Sequence, residues 1–166
     1  EAVERAAECI AGALEDSGFS APLLLEGMAG VYGPGGSWEI MEALADRIAE
    51  QHASAQIGLT LDTAHAWARG YDFREAEEVD RLVSEIDSAM GIEALRLLHL
   101  NDSKDACGSG RDRHQHLGEG EIGLQGLGNV LADEHLSALP IVMETPWEDV
   151  ETDTRNLETA LELLGG

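Results

Sequence analysis

Four short apolar runs, Leu23 to Leu25, Ile57 to Leu61, Leu95 to Leu100 and Ile141 to Met143, are each followed by a segment with apolar residues at helical spacing. Strands that alternate with helices form parallel βαβ units, because each helix must carry the chain back across one face of the sheet. The alternation therefore predicts an α/β chain. The first of these helices starts near Ser37, a suitable N-cap, and continues through Ile40, Met41, Leu44 and Ile48. The second covers about Glu75 to Met90 with Val79, Leu82, Val83 and Ile86 on one face, and Gly91 is placed to end it. A third spans about Leu124 to Asp133 and a fourth about Thr152 to Leu164, while residues 1 to 15 add a helix before the first strand. No linker, repeat or low-complexity tract divides this order, so 166 residues read as one folding unit.

The runs end on Glu26, Asp62, His99 and Glu144. In parallel α/β folds, sites are built at the carboxyl ends of strands. One polar strand end is ordinary, and any single member taken alone reads better as a capping carboxylate or a hydrogen-bonded histidine. Four out of four, all of metal-ligand type, point to a site. If the strands are neighbours, Glu26, Asp62, His99 and Glu144 converge, and three carboxylates cannot share a partly dry pocket while ionised without a cation among them. A divalent metal answers that need. Carboxylate and imidazole without thiolate suit Zn²⁺, Mn²⁺ or Fe²⁺.

A polar, glycine-rich stretch after the third strand, residues 101 to 123, carries Asp112 and His114. With His65, three residues after Asp62, they make a second possible metal set if the loops meet. The stretch then reads as a ligand-bearing loop ordered by the ion it holds. His116, His52 and His135 read as surface residues or as residues behind the ligands, and Asn101 and Asp102 as orienting the strand end rather than binding metal. Cys9 and Cys107 share no metal-like spacing and read as free thiols.

The charge balance limits partners less than it first suggests. The chain has 33 acidic and 10 basic residues, a formal charge of −23, and its only lysine is Lys104. That field opposes polyanions at low salt. Scarce lysine and abundant surface acid also fit adaptation to concentrated salt, where charges are screened within about 3 Å at 1 M. A nucleic-acid substrate is therefore not excluded. Lys104, Arg111 and Arg113 gather in the loop among the ligand candidates, and read as a local positive lip for a phosphate backbone. No apolar run of about eighteen residues and no signal-like segment occurs, so the expected setting is cytoplasmic and away from membranes.

The stretches "GLTLDTAH" at 58 to 65, "LHLNDSKDACGSGRDRHQHLGEG" at 98 to 120 and "METP" at 143 to 146 resemble the endonuclease IV type of apurinic/apyrimidinic endonuclease, with a weaker match in "LLLEGMAG" at 23 to 30. The likeness extends over almost the whole chain. Its departures, Thr60 and Ala64 where the family often carries Cys, fall outside ligand positions. The resemblance implies a TIM barrel with three zinc ions that hydrolyses the phosphodiester 5′ to abasic sites in DNA. It implies that Glu26 bridges the first and second metals, that Asp62, His99 and Glu144 complete the second, and that His65, Asp112 and His114 hold the third. Glu26 and Glu144 are the implied catalytic carboxylates.

A TIM barrel needs eight βα units, and four strands are expected here. No counterpart of the family's two first-metal histidines precedes Glu26. The chain thus reads as the C-terminal four-strand half of a barrel, with two zinc positions and little activity alone. A half barrel leaves two sheet edges and an apolar inner face to be covered by the absent N-terminal half or by self-association. Two other readings compete. One is a divalent-metal sugar isomerase or epimerase on a related barrel; the other is a non-catalytic metal-binding half-barrel module.

Overall fold

The computed structural model describes residues 1–30 and 36–165. Its elements in chain order are α1 (Ala2–Ser17), β1 (Leu23–Glu26), α2 (Trp38–Gln51), β2 (Ile57–Asp62), α3 (Thr63–Ala68), α4 (Ala76–Met90), β3 (Leu95–His99), β4 (Asp102–Ser103), β5 (His114–Gln115), α5 (Gly123–Ala132), α6 (Glu134–Ser137), β6 (Ile141–Val142) and α7 (Val150–Leu163). The four strands expected from the apolar runs form one parallel sheet in the order β1-β2-β3-β6. The helices expected between them are present, with Ser37 Oγ capping α2 at the Ile40 N–H (3.3 Å) and Gly91, at φ 78°, ending α4.

Register decides where the strand-end residues point. Glu26 pairs with Thr60, Asp62 with His99, and His99 with Val142. Aligned residues of parallel strands face the same side and side chains alternate along each strand. Glu26, Asp62, His99 and Glu144 therefore share one face. The opposite face presents Leu25, Leu59, Leu61 and Leu98, all buried under the helices in a single cluster that includes Met41, Ile48, Leu82, Ile86 and Leu127. Truncating one of them, Leu98→Ala for example, would cost about 2–5 kcal/mol. α1 packs on α2, α2 on α4, α4 on α5 and α5 on α7, so the helix layer follows the sheet from one edge to the other.

Three features were not expected. α3 has no amphipathic period because five of its six residues are buried, and β4 with β5 is a two-residue antiparallel ladder too short to leave a pattern. α6 is a single turn capped by the Asp133 carboxylate. Among the described residues β1 and β6 have no outer neighbour strand. Val142, Trp147, Val150, Leu157 and Leu161, at and beyond the β6 edge, are exposed apolar side chains.

Candidate metal centre

Parallel register places the Asp62 carboxylate at the centre of the site, fully buried. Its Oδ1 accepts the His65 N–H (2.9 Å) and so caps α3, which fixes the direction in which that helix carries His65. Its Oδ2 accepts from Asn101 Nδ2 (2.7 Å). His99 Nδ1 faces three carboxylates, Glu144 Oε2 at 3.2 Å, Glu26 Oε1 at 3.7 Å and Asp62 Oδ2 at 3.7 Å. Glu26, Asp62, His99 and Glu144 thus offer ligand atoms within 4.8 Å of one another.

A second group, Asp62, His65 and His114, meets the same spacing, so Asp62 belongs to both. The two imidazoles lie with centroids 5.6 Å apart. Asp112 reaches both from the loop, with Oδ2 at 3.2 Å from His65 Nε2 and Oδ1 at 3.1 Å from His114 Nε2. The loop residues and α3 therefore do meet. Backbone carbonyls fix the imidazole orientations: His65 Nδ1 lies 3.0 Å from the Gly27 oxygen and His114 Nδ1 3.0 Å from the Glu144 oxygen. With Nδ1–H donated to a carbonyl, each ring would present its Nε2 lone pair to an ion held in the cluster.

Three imidazole nitrogens inside these groups, His65 Nε2, His99 Nδ1 and His114 Nε2, are buried without a hydrogen-bond partner. A buried polar atom left unpaired costs about 1–3 kcal/mol. The charges also ask for a cation. Burial alone would lower the His65 pKa, yet its hydrogen bond to Glu26 and the charges of Asp62, Asp112 and Glu26 raise it to about 9. His99 is raised as well, first by the nearby Asp62 carboxylate and then, against burial, by Glu26 and Glu144. Burial would push the Asp62 carboxyl up, but the nearby His99 imidazole, the His65 N–H and the His65 and His114 imidazoles hold it below its ordinary value. Orphaned nitrogens among crowded carboxylates, with no thiolate, fit a divalent ion of the Zn²⁺ or Mn²⁺ kind. Cys9 and Cys107 are free thiols outside both groups.

Other expected residues are placed less simply. Lys104 is exposed. Arg113 is not a free cation: its Nε and Nη2 grip the Asp105 carboxylate at 2.7 and 2.5 Å, and Arg111 Nη1 approaches the same group at 3.5 Å. The lip expected from three cations is thus partly neutralised, although both guanidinium groups remain more than half exposed. His135 is exposed and His52 half-buried. His116 is not at the surface but buried against α7, with its Nδ1 accepting from Asn156 Nδ2 at 3.1 Å. Asn156 also accepts the Leu117 N–H, so it anchors the loop to the last helix, a role that no local pattern around it announces. Asn101 orients two strand ends at once, since its Oδ1 accepts the Glu144 N–H at 2.7 Å while its Nδ2 holds Asp62. Thr63, overlooked in the sequence, locks Asn101 by accepting its N–H (2.8 Å) and donating to its carbonyl (2.6 Å).

Residues 1–165 match the family described as Xylose isomerase-like TIM barrel. A protein of Methanoculleus marisnigri called probable endonuclease 4 is 41% identical over 164 residues, which is 98% of this chain and 57% of that protein. A probable endonuclease 4 of Haloarcula marismortui is 38% identical over 131 residues, covering 79% of this chain and 46% of that one. The crystal structure of endonuclease IV from Thermus thermophilus superposes with a TM-score of 0.82 at 36% identity, covering 98% of this chain and 58% of that one. The chain thus spans about half the length of these relatives.

Proposed function

Because the chain belongs to the Xylose isomerase-like TIM barrel family, and its relatives there are named endonuclease 4, we propose that it is the C-terminal half of a zinc-dependent DNA-repair endonuclease that hydrolyses the phosphodiester 5′ to abasic sites. The observation that carries this reading is the set of three orphaned, buried imidazole nitrogens among Glu26, Asp62, Asp112 and Glu144. Glu26, Asp62, His99 and Glu144 would hold one ion, and His65, Asp112 and His114, beside Asp62, a second. Ions bound there would supply positive charge against the phosphate oxygens and the departing oxygen.

The chain's own residues do the positioning. Gly27 and Glu144 carbonyls fix two imidazoles, and Asn101 keeps the Asp62 and Glu144 strand ends at one separation. Catalytic duty falls to Glu26 and Glu144, which lie at opposite sides of the strand-end group and are its more accessible carboxylates. Exposed Lys104, with Arg111 and Arg113 fixed on Asp105, would meet the DNA backbone. The loop cluster favours this reading over a sugar isomerase or epimerase, for which the strand-end group would suffice.

The test is a chimera that joins this chain to the remaining part of the Methanoculleus marisnigri relative. It should nick a duplex with one abasic site and leave a 3′-hydroxyl, its Glu144→Ala version should be at least about a thousandfold slower, and the 166-residue chain alone should show little cleavage. A chimera that folds, binds zinc and leaves abasic duplex intact would refute the proposal.

A further inference from the structure

The Asp102 carboxylate is fully buried and accepts backbone N–H groups from five residues. Oδ1 receives Ser103 (2.8 Å), Ile122 (3.0 Å) and Gly123 (3.3 Å), and Oδ2 receives Gly118 (3.0 Å), Gly120 (3.0 Å) and again Gly123 (3.3 Å). Among the described residues no Arg, Lys or His forms an ion pair with it. A buried charge without a counter-charge is tolerated only where several N–H dipoles replace its hydration shell. The turn is built for that purpose. A Cβ at Gly120 would fall onto Asp102 Oδ1 and the Ser103 carbonyl, and Gly118 and Gly123 hold positive φ of 82° and 66°.

These bonds join the chain before the ligand loop to the chain after it. Asp102 and Ser103 pair with Gln115 and His114, and the Lys104 N–H donates to the Arg113 carbonyl at 2.9 Å. The Glu121 N–H returns to the Ser103 carbonyl at 2.7 Å. Asp112 and His114 are thus presented from a loop closed by protein bonds at its base. A loop so closed has already lost much of the conformational freedom that an ion would otherwise have to remove.

We propose that Asp102 is a positioning residue that builds the loop half of the metal site in advance, so that the loop is shaped by this carboxylate and not ordered by the ion, as the sequence had suggested. The hydrogen bonds around Asp102 are made by protein groups alone; only their consequence rests on the metal reading of His65, Asp112 and His114.

Amide hydrogen exchange on the whole 166-residue chain, dialysed against chelator, tests the claim without a substitution. The Gly118, Gly120, Ile122 and Gly123 amides should exchange at least about a hundredfold slower than in an unstructured chain, and adding zinc should change them little. Exchange at the unstructured rate until zinc is added would overturn the inference. Asp102→Asn turns an amide donor toward those N–H groups and should weaken zinc at the loop position at least about tenfold while the strand-end position stays within about twofold. Gly120→Ala, which keeps the charge, should do the same. Equal loss at both positions, or none, would also overturn it. A wild-type chain with protected amides and no zinc at the loop position would refute the metal reading and leave Asp102 as the loop's organiser.

Discussion

The strand-end group and the loop group share Asp62 and little else. The first is made by sheet register: Asp62 and His99 are directly paired, Glu26 pairs two residues before Asp62, and Glu144 follows the residue paired with His99 by two. Moving Glu26, Asp62 or His99 means moving a strand that packs Leu25, Leu59, Leu61 or Leu98 into the core, while Glu144, just beyond β6, is tied to β3 by its N–H bond to Asn101. The second is made by hydrogen bonds: α3 is aimed by its cap on Asp62, His114 by a carbonyl, and the loop by Asp102. The same chemistry is thus held by packing in one place and by polar bonds in the other. The strand-end group should therefore resist substitutions among the hydrogen-bonding residues of the loop, and the loop group should not.

Asp62→Ala should have the largest effect, because the residue belongs to both groups. It should abolish zinc at both positions, remove a cap worth about 1 kcal/mol and leave Asn101 Nδ2 unpaired at a further cost of about 1–3 kcal/mol. Metal analysis should read close to zero and the metal-free melting temperature should fall by roughly 5–10 °C. Retention of one ion would show that the groups do not share Asp62.

Asn101→Ala should be more selective. It frees the Glu144 and Asp62 strand ends from each other, so strand-end zinc should weaken about 10–100-fold. Competitive titration with a coloured chelator should show the loop position less affected. If the loop position suffers more, the division between packing and polar bonds is wrong.

Salt should act on neither group. The acidic residues that outnumber basic ones 33 to 10 are mostly exposed, on helices and in loops alike, where screening relieves their repulsion. The melting temperature should rise by roughly 5 °C or more between about 0.1 and 2 M KCl with zinc content unchanged. A flat or falling midpoint would remove the salt-adaptation reading; altered zinc content would tie surface charge to the site.

Much of this was legible in the sequence because it depends on periodicity. Apolar runs fix strands, strand parity fixes which residues share a face, and the residue that closes a run is visible by inspection. Side-chain pairing between distant loops is not. Arg111 and Arg113 read as free cations because nothing in the spacing says that Asp105 will be folded between them. His116 read as peripheral because its partner, Asn156, is 40 positions away on another helix. Asp102 was legible only as a residue that orients the strand end; its five N–H donors lie up to 21 residues further on and meet only in the folded turn. His116→Ala is for that reason a poor control for loop chemistry, and exposed His135 a better one.

The central claim, two separable metal positions in this chain, is tested most directly by counting zinc in dialysed wild type, His114→Ala and His135→Ala. Wild type and His135→Ala should each retain close to two ions per chain. His114→Ala should retain one, since a group stripped to His65, Asp112 and the Asp62 carboxylate it shares with its neighbour holds zinc poorly. Equal losses in both variants, or two ions still bound in His114→Ala, would contradict the account.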